Sequence, residues 1–377
     1  MKLGALKPWL IRGAIALPAG LAVVFLVVSS GVVSIKASSG HWPITNWFLH
    51  YAMRRSVSTY STTLAEPKLD EPWLVLKGAG HFETGCRPCH GAPDIAPPVI
   101  PRAMTPHPPS LSSTVSEWTK EELFFIVKHG VKFTAMPAWP SPQRDDEVSA
   151  VVAFLLALPK LDGVGYRKLV DGETATSRAA APVSELVPVD TGLLALAASC
   201  ARCHGEHGEG RGSAAFPKLA LQTSDYQYRA LQAYARAERH SGIMQPIAAA
   251  LSSQQMRALS DYYAGLHDTR PDPSAVAAPL AQRQRGQAIA THGIPQRGIP
   301  PCVECHGPGT GGRNRAYPKL AGQYGDYLLL QLGLFQARQR GGSPYAHLMQ
   351  HVAARLDEAQ MRDVSFYYAA LSAEDEP

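Results

Sequence analysis

Cysteine is nearly absent, with six residues in a chain of 377, and none of the six stands alone. They fall as three Cys-x-x-Cys pairs, each followed at once by histidine, so none remains for a disulfide framework or for a lone nucleophile. Runs of basic charge are missing too. The net charge of +5 comes from interspersed acids and bases, which offers nucleic acid no basic stripe and excludes it as a partner. The alternation of apolar and polar residues that marks half-buried strands is also missing, which leaves an all-α fold. A chain of 377 residues exceeds one ordinary core, and 31 Pro and 32 Gly break it often. Several compact units on linkers are therefore expected.

Charge is absent from Gly13 to Ile35, a run of 23 residues long enough to cross a bilayer core as one helix. Lys2, Lys7 and Arg12 precede the run and only Lys36 follows closely, so the N-terminus is expected in the cytoplasm and the rest exported. A cleaved signal peptide is the alternative, but the run is longer than a usual signal core and no Ala-x-Ala site follows it. The next stretch mixes Trp42, Trp47, Phe48 and Tyr51 with Arg54 and Arg55, which suits either the lipid headgroup zone or a linker helix.

What is present is a motif used three times: Cys86, Cys89 and His90; Cys200, Cys203 and His204; Cys302, Cys305 and His306. Helical spacing puts the three side chains of each set on one face. Cys-x-x-Cys-His is the attachment signature of c-type haem, two thiols forming thioethers and the imidazole reaching the iron. Three covalently bound haems are expected. A zinc finger would need a second ligand pair downstream, and a thioredoxin-type site would need a βαβ pattern; neither is found.

A sixth iron ligand should then recur in register. Met136, Met244 and Met349 do so, each followed eighteen positions later by an aromatic, Phe154, Tyr262 and Tyr367. Between cysteine and methionine each unit carries Pro-x-Leu, at Pro109, Pro217 and Pro318. A ligating histidine generally donates its other N–H to a carbonyl or carboxylate, so the three proline carbonyls are the expected acceptors. Among other candidates, Met104 lies before Pro109 and breaks the order, while Met256 and Met361 sit on closing amphipathic helices and read as core. His129 and His240 are weaker rivals; His347 and His351 flank Met349 and rival it directly.

The expected order is a cytoplasmic segment and anchor (1–36), an interfacial segment (37–70), unit 1 (71–160), a linker (161–188), unit 2 (189–267), a linker (268–281), unit 3 (282–372) and an acidic tail (373–377). Units of this size are small for an independent core, and a covalently held macrocycle would add buried surface.

Each unit resembles a class I cytochrome c domain: a helix bearing the motif, a Pro-x-Leu loop, a distal methionine and an aromatic-bearing closing helix. Units 2 and 3, with "FPKLALQ" and "YPKLAGQ" followed by "MQPIAAAL" and "MQHVAARL", are similar to tandem dihaem cytochromes of the c-four type. Unit 1, with "VKHGVKFTAMPAWP", resembles monohaem cytochromes or cytochrome subunits of respiratory complexes. The added anchor and the third unit depart from the dihaem pattern, so a soluble shuttle role need not carry over. The resemblance implies a periplasmic trihaem cytochrome tethered to the inner membrane as a single-pass protein. It would have no catalysis of its own, relaying electrons between a quinol-oxidising complex or dehydrogenase and a terminal oxidase or soluble cytochrome. A cytochrome subunit of an alcohol or gluconate dehydrogenase is the alternative. A peroxidase would need an open iron position, which three methionine ligands oppose.

Overall fold

A computed structural model describes residues 8–172, 189–212, 214–266, 270–307 and 314–372. Among these there is no β-strand; helices are joined by loops, with isolated bridges such as Arg211 to Phe216 and Ile294 to Ile299. Helix α1 (Pro8–Ser29) contains an apolar window, Arg12–Ser29, of mean hydropathy 1.9 that is not buried by any of the described residues. The helix ends short of the expected Ile35. Gly31 takes a φ of +72° and turns the backbone aside.

Helix α2 (Pro43–Ser61) spans the expected interfacial segment and divides in two. Trp42 ahead of it and Trp47 and Phe48 in its first half are exposed, whereas Val57 and Ser61 in its second half are buried. The second half lies on unit 1, where Tyr60 stacks on Phe125 and Arg54 pairs with Glu117 while covering the Trp118 ring at 4.7 Å. Much of the segment 37–70 is thus part of unit 1.

In unit 1, helix α3 (Trp73–Gly85) crosses the closing helix at Gly78, where a Cβ would overlap the carbonyl oxygen of Ala150 and come within 2.7 Å of Phe154 Cβ. That closeness lets Phe82 and Phe154 meet at 5.0 Å, both fully buried. Helix α4 (Lys120–His129) starts on a Thr119–Glu122 capping box, and the closing helix α5 (Asp145–Ala157) starts with Asp145, Asp146 and Glu147, where the helix dipole favours negative charge. The expected linker 161–188 begins as structure: helix α6 (Gly163–Asp171) buries Tyr166 and Val170 in the unit 1 core, and Tyr166 Oη donates to Glu83 at 2.6 Å. Tyr166 and Val170 are four apart, so one helix face supplies both. The remainder of that linker, 173–188, and the acidic tail lie outside the described residues.

Unit 2 consists of α7 (Val189–His204), which carries its motif in its last turn, α8 (Ser224–Ala235), α9 (Met244–Ala249) and α10 (Ser253–Ala264). The buried aromatic of its closing helix is Tyr263, whose hydroxyl donates to the carbonyl of Ala197 at 3.1 Å, while Tyr262 is half-buried. Unit 3 repeats the plan with α11 (Leu280–His292), α12 (Gly325–Gln336), α13 (Ala346–Ala353) and α14 (Glu358–Ala370). Gly286 lets α11 close on α14 as Gly78 does in unit 1, against Tyr367. The second expected linker is also partly docked: Asp272 and Ala275 are buried, and Asp272 accepts from Gly325 N at 3.0 Å.

Candidate haem sites

Each motif closes one helical turn. His90 N bonds Cys86 O at 2.9 Å and His306 N bonds Cys302 O at 2.9 Å, and in unit 2 the same turn is the end of α7. The rings are then aimed by a single repeated contact. His90 Nδ1 lies 2.9 Å from Pro109 O, His204 Nδ1 3.0 Å from Pro217 O, and His306 Nδ1 3.0 Å from Pro318 O. A carbonyl only accepts, so Nδ1 carries the proton and the Nε2 lone pair is left for a metal. Burial, against the pull of the proline carbonyls, holds His90 and His204 below the ordinary imidazole value, which keeps them neutral. The leucine after each proline packs into its unit's core: Leu111, Leu219 and Leu320.

The cysteines are all free and partly buried. Burial pushes the Cys86 thiol up to about 12 and Cys203 and Cys302 up to about 11. Thiols this far from ionising are poor zinc ligands and poor redox nucleophiles. Beside His90 and Cys89 two adjoining cavities of 370 and 430 Å³ share Pro97 and Ser110 in their walls.

Met136, Met244 and Met349 are half-buried. Met256 and Met361 are 5% exposed within their closing helices, so they serve as core. Of the rivals for the third site, His347 and His351 are exposed, and His347 Nδ1 meets the carbonyl of Pro344 at 3.0 Å. His129 is exposed against Phe125, and His240 uses its carbonyl, not its ring, in the contact it makes with Arg144. Imidazoles anchored through Nδ1, paired thiols one turn apart and, beside His90, concave walls together fit a covalently attached haem.

Sequence reasoning missed how units 2 and 3 lock together. Lys218 N donates to Gln323 Oε1 and Gln323 Nε2 donates to Lys218 O, both at 3.0 Å. Reciprocally, Gln222 Nε2 donates to Lys319 O at 2.8 Å and Lys319 N donates to Gln222 Oε1 at 3.0 Å. Each lysine follows the proline that orients its unit's histidine, so each ring-aiming loop is clasped by the other unit. The shared Pro-Lys-Leu-Ala-x-Gln string was the available signal. Beneath it, Arg239 donates toward Tyr327 Oη and Arg340 toward Tyr226 Oη, phenols of the opposite units. Burial and the nearby Arg239 pull the Arg340 guanidinium down.

Family models match two segments: "Cytochrome C oxidase, cbb3-type, subunit III" over residues 74–155 and "Cytochrome c" over residues 190–266. The thiosulfate dehydrogenase electron acceptor of Thiomonas intermedia is 36% identical over 175 residues, 46% of this chain and 79% of that protein. Cytochrome c4 of Thiocapsa roseopersicina is 34% identical over 176 residues, 46% of this chain and 87% of that one. The chain belongs to the cytochrome c family. The reduced cytochrome c4 structure from Pseudomonas stutzeri aligns at 27% identity and a TM-score of 0.42, covering 49% of this chain and 98% of that one. As a cytochrome c the protein carries covalent c-type haem and transfers electrons.

Proposed function

We propose that this cytochrome is a trihaem electron relay held on the periplasmic face of the inner membrane by α1. In this reading Cys86 and Cys89, Cys200 and Cys203, and Cys302 and Cys305 tether one group each. His90 and Met136, His204 and Met244, and His306 and Met349 would hold the irons, and Pro109, Pro217 and Pro318 would fix the histidine rings. When bound, each haem supplies an iron that takes up and gives back one electron; a thioether ligand favours its reduced form. The chain's own part is to hold the Nε2 lone pair in place and exclude water. Arg239 and Arg340 would offer positive charge to the propionates of the two C-terminal groups.

The observation that carries this reading is the Nδ1-to-proline-carbonyl contact repeated in all three units. The tether rests on the exposed apolar helix and on the exposed aromatics at the start of α2, which suit the headgroup zone. Tethering concentrates the relay near membrane partners, a quinol-oxidising complex or dehydrogenase on one side and a terminal oxidase or soluble cytochrome on the other. A pyridine haemochrome assay should give three haems per chain, and two after Cys302→Ser with Cys305→Ser; an unchanged ratio overturns the third site. Membrane fractionation of the full chain and of one starting at residue 37 checks the tether, the first pelleting with membranes and the second remaining soluble.

A second reading is a cytochrome subunit of a membrane dehydrogenase. Relatives named as thiosulfate dehydrogenase electron acceptors favour it and add thiosulfate to the alcohols and gluconate as donors to test. Stoichiometric co-purification of a dehydrogenase in mild detergent would decide for it.

A further inference from the structure

We propose that Glu147 of unit 1 is a positioning residue for the distal methionine of unit 2, so that the second redox centre is set from outside its own domain. The inference rests on the reading of Met244 as the axial ligand of unit 2.

Glu147 lies in the first turn of α5 and is 2% exposed. A carboxylate is buried only when its lone pairs and charge are met, and three hydrogen-bond donors and one ion-paired guanidinium meet this one. Arg144 Nη1 at 3.0 Å and Trp139 Nε1 at 3.1 Å come from unit 1. Ser241 Oγ at 2.7 Å and Gly242 N at 2.6 Å come from unit 2. Having given its proton to Glu147, Ser241 accepts the backbone N–H of Met244 at 3.1 Å. The chain of donation therefore runs from the methionine's own amide, through a serine hydroxyl, to a carboxylate of the neighbouring unit.

Two further contacts hold the same short segment. Arg144 Nη1 donates to the carbonyl of His240 at 2.6 Å. Ile243, immediately before the methionine, is 8% exposed and sits in the core cluster of unit 1 with Phe82, Phe124 and Trp139. Gly242 is required for this fit, because a Cβ there would overlap the Trp139 indole. Residues 240 to 244 are thus gripped by groups of unit 1. Unit 3 shows the contrast within one chain: Leu348, directly before Met349, is 45% exposed. A group that fixes a ligand's backbone governs how squarely its sulfur reaches the iron, and so the potential and spectrum of that centre.

The test uses the full holoprotein and reads the ferric methionine–iron charge-transfer band and a redox titration. Glu147→Ala and Ser241→Ala should each weaken the band by the share of one haem and move one titration step, leaving the other two where they were. Glu147→Gln, which keeps an acceptor oxygen of the same reach, should restore both toward the parent. Met244→Ala is run alongside. If it leaves band and titration untouched, the ligand reading itself has failed. If it removes one haem's share while Ser241→Ala and Glu147→Ala behave as the parent, the positioning role is overturned. Should Glu147→Ala not fold, Ser241→Ala decides, since it deletes a single hydroxyl.

Discussion

A histidine that gives its Nδ1 proton to a backbone carbonyl keeps the lone pair on Nε2, and three residues here make that Nδ1 contact. Their positions and their acceptors were readable because both belong to a local repeat: the turn fixes the ring's starting point and Pro-x-Leu brings the carbonyl. His81 shows the opposite case. It is not part of any repeat, yet it is buried between Trp139 and Phe216, ring centroids 6.0 and 6.4 Å away. Neither of its ring nitrogens has a hydrogen-bond partner among the described residues. Burial, and then the charges of Lys77 and Arg144, hold its pKa well below the ordinary 6.5 against the opposing pull of Asp146. The unfolded chain therefore binds this proton more readily than the folded one. The stability it leaves intact above about pH 6.5 should be lost as pH falls toward the folded-state value, at no more than about 1.4 kcal/mol per pH unit. Denaturation midpoints measured from pH 7.5 down to about 5 should fall less steeply in His81→Phe than in the parent; parallel slopes would show that His81 does not titrate in this way.

At the scale of elements, the closing helices followed from apolar spacing, and the structure adds a capping box ahead of two of them, Ser252 with Gln255 at α10 and Asp357 with Gln360 at α14. Helix α6 and the docked piece around Asp272 were hidden for a physical reason. Each is a short, Gly- or Pro-bearing segment whose structure comes from the neighbour it packs on, so spacing within the segment carries little of the signal. Two helix crossings turn on the absence of a side chain. Gly78→Ala and Gly286→Ala would each drive a methyl group into the backbone of the closing helix, costing about 1–3 kcal/mol. Gly192, eight residues before Cys200 as Gly78 is before Cys86, has nothing within 4 Å of such a group. There alanine should be neutral or stabilising by up to about 1 kcal/mol. Thermal melts of the three variants check the contrast, and similar losses at all three positions would contradict the crossing geometry.

For the whole molecule, the dominant feature is that units 2 and 3 do not keep their redox loops to themselves. Units 2 and 3 exchange glutamine amides across their boundary, and the sequence could only hint at this, since pairing between repeats is a contact of long range. Gln323→Ala leaves the amide and carbonyl of Lys218 buried without their partners, a cost of about 2–4 kcal/mol for the two groups. Denaturant unfolding should register it, and a change inside about 0.5 kcal/mol would mean that water serves those groups as well. The same arrangement governs how the gene can be divided. A cut near residue 270 would separate the backbone groups of Lys218 and Lys319 from the glutamine that each meets in the opposite unit. The motif spacing invites one-haem fragments, but the joinery does not: units 2 and 3 come away only as a pair, and residues 240 to 244 of that pair are themselves held by unit 1.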